Sequence, residues 1–288
     1  MTRASLYDRV AEEAASVVIH RYSTSFALAS KLLDSGARQH VENIYALVRL
    51  ADEIVDGEAA AAGLTAADAA SQLDALERET RHAMATGYST NLIVHAFALT
   101  ARETGFGDEL TTPFFASMRT DLSATQHDEA SFDSYVYGSA EVVGLMCLRA
   151  FLLGHQYSPE QLARLQSGAR ALGAAFQKVN FLRDLSADFR ELGRSYFPGV
   201  RVDSFTDADK DRILDDIDND LKMSAAVIQE LPAGSRRAVV LAQRLFAELA
   251  SRLRATPASR LVSTRVRVPT AIKLRIAAGA ALGRTSKT

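Results

Sequence analysis

One cysteine in 288 residues, Cys147, excludes an internal disulfide framework and fits a reducing compartment. It lies in an apolar run, Gly144-Leu145-Met146-Cys147-Leu148, and reads as a small packed hydrophobe, not a nucleophile. Prolines are few, six in all, and β-branched runs are short, so propensity leans helical. The N-terminal stretch soon carries Asp8, Glu12 and Glu13 and lacks the apolar core of a signal peptide. No window approaches the roughly 20 uninterrupted apolar residues of a membrane span. Those absences predict a cytoplasmic chain, soluble or membrane-peripheral. There is no internal repeat, no long linker and no glycine-rich dinucleotide fingerprint, so a single domain over residues 1–288 is the simplest organisation.

Negative charge is also missing from one end. The net charge is −2, which argues against nucleic-acid binding. Yet after Glu248 there is no acidic residue, while Arg252, Arg254, Arg260, Arg265, Arg267, Lys273, Arg275, Arg284 and Lys287 follow. Such a segment suits an anionic ligand or an anionic membrane surface; the plainer alternative is a solvated basic helix end.

What is present is helical periodicity. Apolar residues recur at three- and four-residue spacing, and no alternating stretch competes. The pattern predicts helices over 5–22, 37–57, 65–86, 89–104, 108–124, 131–153, 158–192, 207–230, 233–255 and 269–282. Thr65 caps one of them, and Ser158-Pro159-Glu160-Gln161 opens another with a capping residue and a first-turn proline. Gly193 closes that long helix, and Gly36, Gly63, Gly87 and Gly105-Phe106-Gly107 mark connections. The expected fold is an all-α, single-domain helical bundle enclosing a central active-site cavity.

Two segments carry chemistry. Tyr45 to Asp56 places Tyr45, Arg49, Asp52 and Asp56 on one helical stripe; Gln177 to Asp188 does the same with Gln177, Asn180, Asp184 and Asp188, with Arg183 alongside. A carboxylate pair one turn apart can hold magnesium, or manganese in its place, while leaving positions for phosphate oxygens. Spacing alone proves little, because Asp203/Asp207, Asp207/Asp211, Asp211/Asp215 and Asp216/Asp220 share it; those lie in a stretch crowded with Asp, Lys and Asn that reads as a solvated face. The two good pairs instead interrupt apolar helices, where a polar stripe needs buried partners. An inter-helix Asp–Arg salt-bridge network is the competing explanation. Facing each other, the pairs would clamp metal ions around a diphosphate, with Arg49, Arg183 and Arg194 neutralising the remaining charge. Departure of diphosphate leaves an allylic cation, which demands a dry aromatic pocket; Phe26, Tyr45, Tyr135, Tyr137, Phe176 and Phe181 are the candidates.

These blocks, in this order, resemble the squalene/phytoene synthase family, the head-to-head trans-isoprenyl diphosphate synthases, over nearly the whole chain. The match covers Tyr22-Ser23-Thr24-Ser25-Phe26, the two aspartate-rich segments, Tyr135-Val-Tyr137-Gly138-Ser-Ala-Glu141-Val-Val-Gly144, where the family's helix is locally opened, and Gly193-Arg194-Ser195-Tyr196-Phe197-Pro198. The resemblance implies magnesium ligands at Asp52, Asp56, Asn180, Asp184 and Asp188. It implies diphosphate contacts or their support at Ser23, Arg49, Gln177, Arg183 and Tyr196, with Arg265 a further candidate. It also implies prenyl-chain contacts at Phe26, Tyr45 and Tyr135. Asp52, Asp56, Asp184, Asp188, Arg183 and Tyr135 would form the catalytic set. Two positions depart from the family pattern: Glu141 replaces a residue that is small in many members, and Tyr22 a histidine found in some.

The runs Tyr137 to Leu145 and Leu172 to Lys178 look like phytoene synthases of actinobacterial carotenoid pathways. The substrate implied is geranylgeranyl diphosphate, two molecules joining through a cyclopropyl diphosphate to give phytoene. Squalene, presqualene-diphosphate or dehydrosqualene synthesis from farnesyl diphosphate is the enzymatic alternative. A non-catalytic helical assembly factor is the alternative of another class, set against the retention of all four aspartates. No obligate protein partner is evident.

Overall fold

The computed structural model describes residues 5–56, 58–192 and 194–282, with 188–192 as backbone only. Fourteen α-helices are described in chain order: α1 Leu6–Tyr22, α2 Thr24–Ser30, α3 Ser35–Val55, α4 Glu58–Ala61, α5 Ala66–Thr86, α6 Leu92–Thr104, α7 Asp108–Asp121, α8 Glu129–Val136, α9 Val142–Leu152, α10 Pro159–Leu192, α11 Asp207–Val227, α12 Ala233–Ala255, α13 Ala258–Leu261 and α14 Thr270–Ala281. A π-helical turn, Tyr137–Glu141, joins α8 to α9. Among the described residues there is no strand, only an isolated bridge between Gln126 and Ser195. The fold is all-α, as the periodicity predicts.

Local chemistry sets the boundaries. Thr65 and Asp68 cap α5 reciprocally, and Ser158 and Gln161 do the same ahead of Pro159. Gly87 and Gly105 end α5 and α6 with φ of 82° and 74°, a backbone that costs glycine nothing. Gly36 marks no connection: it lies inside the first turn of α3, which Asp34 caps. Gly193, the predicted end of α10, lies outside the described residues.

Two large apolar clusters divide the interior. One gathers α3, α5, α6, α7 and α9 around Ile44, Leu47, Phe97, Phe114 and Met146. The other gathers α8 and α10 to α13 around Val179, Leu182, Leu214, Ile217 and Leu253. The α8–π–α9 run crosses between them. Gly144 lies so close to α10 that an added Cβ would be 2.4 Å from the Ala169 carbonyl oxygen, and one on Gly173 would be 2.5 Å from that of Ala140. The two helices meet backbone to backbone.

Glu129–Leu152 is, by length and composition, apolar enough to cross a bilayer, although Asp133, Glu141 and Arg149 interrupt its apolar run. Half of its apolar window is buried inside the bundle, as in a core helix.

Candidate active site

The first aspartate pair closes α3. Asp52 occupies its last turn, and Asp56 is its C-cap residue. The Asp52 carboxyl is held well above the usual carboxylate range, by burial first and by repulsion from Asp56 second, against the pull of Arg49. One turn back, Arg49 is paired with Glu53 and stacked 4.5 Å from the Tyr22 ring centroid. The Tyr22 departure thus supplies a cation–π cover for Arg49. Tyr45, two turns back from Asp52, is pushed above an ordinary phenol by burial and shares its surroundings with Arg49, Asp52 and Ser23.

Behind this pair lies a buried hub that the motifs do not reveal. Arg194 donates to Asp56 at 2.8 Å, to the Val55 carbonyl at 2.8 Å, to the Asp121 carbonyl at 2.7 Å and to the Tyr196 hydroxyl at 3.1 Å. With these donors spent, Arg194 positions the end of α3 and is not free to neutralise a ligand as the sequence suggested. Asp121, at the end of α7, accepts from the Tyr135 hydroxyl at 2.8 and 2.9 Å and from Tyr196 at 3.3 Å. Burial pushes its carboxyl up to about 7, with Asp56 adding repulsion and Arg194 and the tyrosines opposing.

The hub reaches the second aspartate helix through aromatic rings. Phe181 of α10 stacks on Tyr196 at 3.9 Å, and Tyr135 lies 5.5 Å from Tyr196. His127, in the loop before α8, stacks on Tyr196 at 6.0 Å and lies tilted against Tyr135 at 5.0 Å. The Ser195 amide donates to the Thr125 carbonyl at 2.8 Å and fixes that loop to the Arg194 segment.

On α10, Asp184 is gripped from two sides. Arg183 donates to it at 3.0 Å, and Arg265, from the segment before α14, reaches it at 2.7 and 3.1 Å. Gln177 donates to Ser139 in the π turn at 3.4 Å, while Asn180 is half-buried on the same helix. The Asp188 side chain lies outside the described residues, so its place beside Asp184 rests on the helical spacing. The two aspartate helices do not rest on each other; Phe26 of α2 lies between them, 6.1 Å from Tyr45 on α3 and 5.7 Å from both Phe176 on α10 and Phe246 on α12. Ser23 caps α2, accepting from the Phe26 amide at 3.1 Å.

Among the described residues no three carboxylate, imidazole or thiol groups converge as a metal site. The carboxylates are instead answered by arginines: Asp56 by Arg194, Asp184 by Arg183 and Arg265. Asp52 and Asp56, one turn apart at the end of α3, are hard-oxygen donors of the kind magnesium takes, and in that respect the residues fit it.

A family model described as squalene/phytoene synthase matches residues 19–271. The chain belongs to that family. It is 31% identical over 185 residues to a 15-cis-phytoene synthase of Paracoccus sp. (strain N81106 / MBIC 01143), covering 63% of this chain and 58% of that protein. It is 30% identical over 195 residues to the chloroplastic phytoene synthase 1 of Zea mays, covering 67% and 44%. The chain thus spans about half the length of these relatives. A third, the 15-cis-phytoene synthase of Enterobacter agglomerans, is 25% identical over 248 residues, covering 79% and 80%. Among solved structures, a dehydrosqualene synthase superposes with a TM-score of 0.79 at 20% identity over 97% and 98% of the two chains. The squalene synthase of Alicyclobacillus acidocaldarius gives 0.73 at 19% identity over 88% and 96%. These superpositions place the squalene/phytoene synthase chain in the isoprenoid-synthase fold.

Other sequence readings resolve within this family frame. Glu141 turns to α10, where Arg170 donates to it at 2.6 Å, and packs outside the aspartate hub. The decoy aspartates of α11 are mostly exposed; Asp211 and Asp215 pair with Arg254, which also holds Asp218. Asp220 is the exception, tucked at 2.8 Å from Lys178. Cys147 is a packed thiol whose pKa burial pushes up to about 12.

Proposed function

We propose that the chain is a 15-cis-phytoene synthase that joins two geranylgeranyl diphosphates head to head in carotenoid biosynthesis, with magnesium as its cofactor. The reading is carried by the Asp52–Asp56 pair at the end of α3, where burial and then repulsion from Asp56 hold Asp52 above the usual carboxylate range, and which Arg194, Tyr196 and Phe181 link to the Asp184 helix. The phytoene synthases among the relatives supply the substrate class.

Held by Asp52, Asp56, Asp184, Asp188 and Asn180, magnesium would draw charge from the bridging oxygen and make diphosphate a better leaving group. Arg49, Arg183 and Arg265, now paired with Glu53 and Asp184, carry the forked donors that phosphate oxygens need. Phe26, Tyr45, Phe176 and Phe246 present ring faces to the allylic cation and exclude water. The cation attacks the second substrate's double bond to give a cyclopropyl diphosphate and release a proton; loss of the second diphosphate, rearrangement and a second deprotonation follow. A proton acceptor with a pKa near neutrality serves these steps, and Asp121, reached through the Tyr135 hydroxyl, has that property.

The basic segment after Glu248 supports a cytoplasmic enzyme touching an anionic membrane, as suits lipid substrates; vesicle flotation tests this. Product analysis after incubation with geranylgeranyl or farnesyl diphosphate and magnesium tests the activity. A forty-carbon triene-centred hydrocarbon is the expected product. Consumption of farnesyl diphosphate alone refutes the chain length, and loss of neither substrate refutes catalysis.

A further inference from the structure

The only-basic C-terminal segment is pinned at two points, to Asp184 on α10 and to the first residue of α2. Arg265 pairs with Asp184 at 2.7 Å on the α10 rim. Eight residues on, Lys273 Nζ donates to Thr24 Oγ1 at 3.0 Å, at the first residue of α2. Thr24 adjoins Ser23, and Ser23 adjoins the Tyr45 phenol, which also feels Arg49 and Asp52. Lys273 therefore stands beside Ser23 at the start of α2, on the Tyr45 side of the site, while Arg265 stands on Asp184 itself. Between and around these anchors, Val262, Val266 and Ile272 pack on the same apolar cluster as Phe26 and Phe176. A strap of this kind brings cations to the site on partners that an anion can replace: a neutral hydroxyl for Lys273, and for Arg265, itself half-exposed, a carboxylate suited to a metal.

We propose that Lys273 is a further diphosphate-binding residue, and that the strap from Ser263 to Ala281 tightens when Lys273 and Arg265 exchange Thr24 and Asp184 for substrate phosphate oxygens. The exchange is electrostatically favourable on both sides. An ammonium gains an anion in place of a hydroxyl, and the guanidinium vacates Asp184 for a cation while keeping an anionic partner. This inference rests on the diphosphate chemistry proposed above.

The test uses the full chain with inorganic pyrophosphate and magnesium, followed by calorimetry and by hydrogen exchange of residues 262–282. In the wild type, pyrophosphate with magnesium is expected to slow exchange across the strap and raise the melting temperature. Lys273→Gln is expected to weaken pyrophosphate binding roughly tenfold or more and to shrink both effects, while Lys273→Arg restores them. The unliganded melting temperature of Lys273→Gln should stay near the wild-type value, since only an exposed hydrogen bond is lost. Unchanged pyrophosphate affinity in Lys273→Gln, with Asp52→Asn abolishing it, overturns the role of Lys273 and leaves the proposed activity standing. Wild-type protein that binds no pyrophosphate while still making product overturns the strap alone. Neither binding nor product overturns both.

Discussion

Asp121→Asn isolates the buried hub. In the folded chain burial lifts the Asp121 carboxyl to about 7 from an ordinary value of 3.8. The native state therefore keeps a proton that the unfolded chain has already released, and stability falls as pH rises through the interval between the two values. Below pH 4 the contribution is fully present; above about pH 7 it is gone. A shift of some three pH units corresponds to about 4 kcal/mol in total, and more than half of it is lost between pH 5 and pH 8. Asparagine has the shape of the neutral acid, so the variant should lack this slope. At pH 5 it should lie close to the wild type; at pH 8 it should be the more stable by a few kcal/mol, several degrees in melting temperature for a chain of this size. Urea denaturation of metal-free wild type and variant at both pH values measures the difference. Parallel pH profiles would refute the raised carboxyl and with it the hub's electrostatics.

Asp52→Asn should abolish product formation yet leave the metal-free chain within about 2 kcal/mol of wild-type stability, because it removes one of two repelling charges; turnover assays and denaturation read the two halves separately. Arg194→Gln should cost about 3–5 kcal/mol by stranding Asp56, Asp121 and two carbonyls, seen as a lower urea midpoint. Gly173→Ala should cost about 1–3 kcal/mol, since its Cβ would press on the Ala140 carbonyl. A melting temperature equal to wild type would mean the two helices can separate without penalty.

Much of the fold was legible because each long helix carries its own period and its own caps. The Thr65 and Ser158 caps and the Gly87 stop need no partner from elsewhere in the chain. The π turn was foreseen only through the family likeness, and α2 was not foreseen at all. Seven residues are too few to show a period, and Ser23 serves as C-cap of α1 and N-cap of α2 at once. The aspartate stripes were legible because both members of each pair lie on one helix. Asp121 was not, since its partners stand far away at Tyr135, Arg194 and Tyr196. One signal was available: an acid at the C-terminal end of a helix opposes the helix dipole, and Asp121 ends α7. His127 carried no comparable sign. Its stacking partners are Tyr135 and Tyr196, one eight residues along the chain and the other on a different segment. The arginine grip on Asp56 and Asp184 was weighed against the metal site as a rival, and the structure shows that grip on both carboxylates.

The glycine contact between α9 and α10 bears on how a long lipid gets in. Helices touching through their main chains have no side chains to rotate aside, so that wall cannot act as a door. α2 and α14, by contrast, meet through side chains alone, Lys273 on Thr24 and an apolar seam of Leu28 and Ala29 with Ile276 and Ala280. On the proposed function, that side-chain seam is where the bundle can open to a lipid substrate.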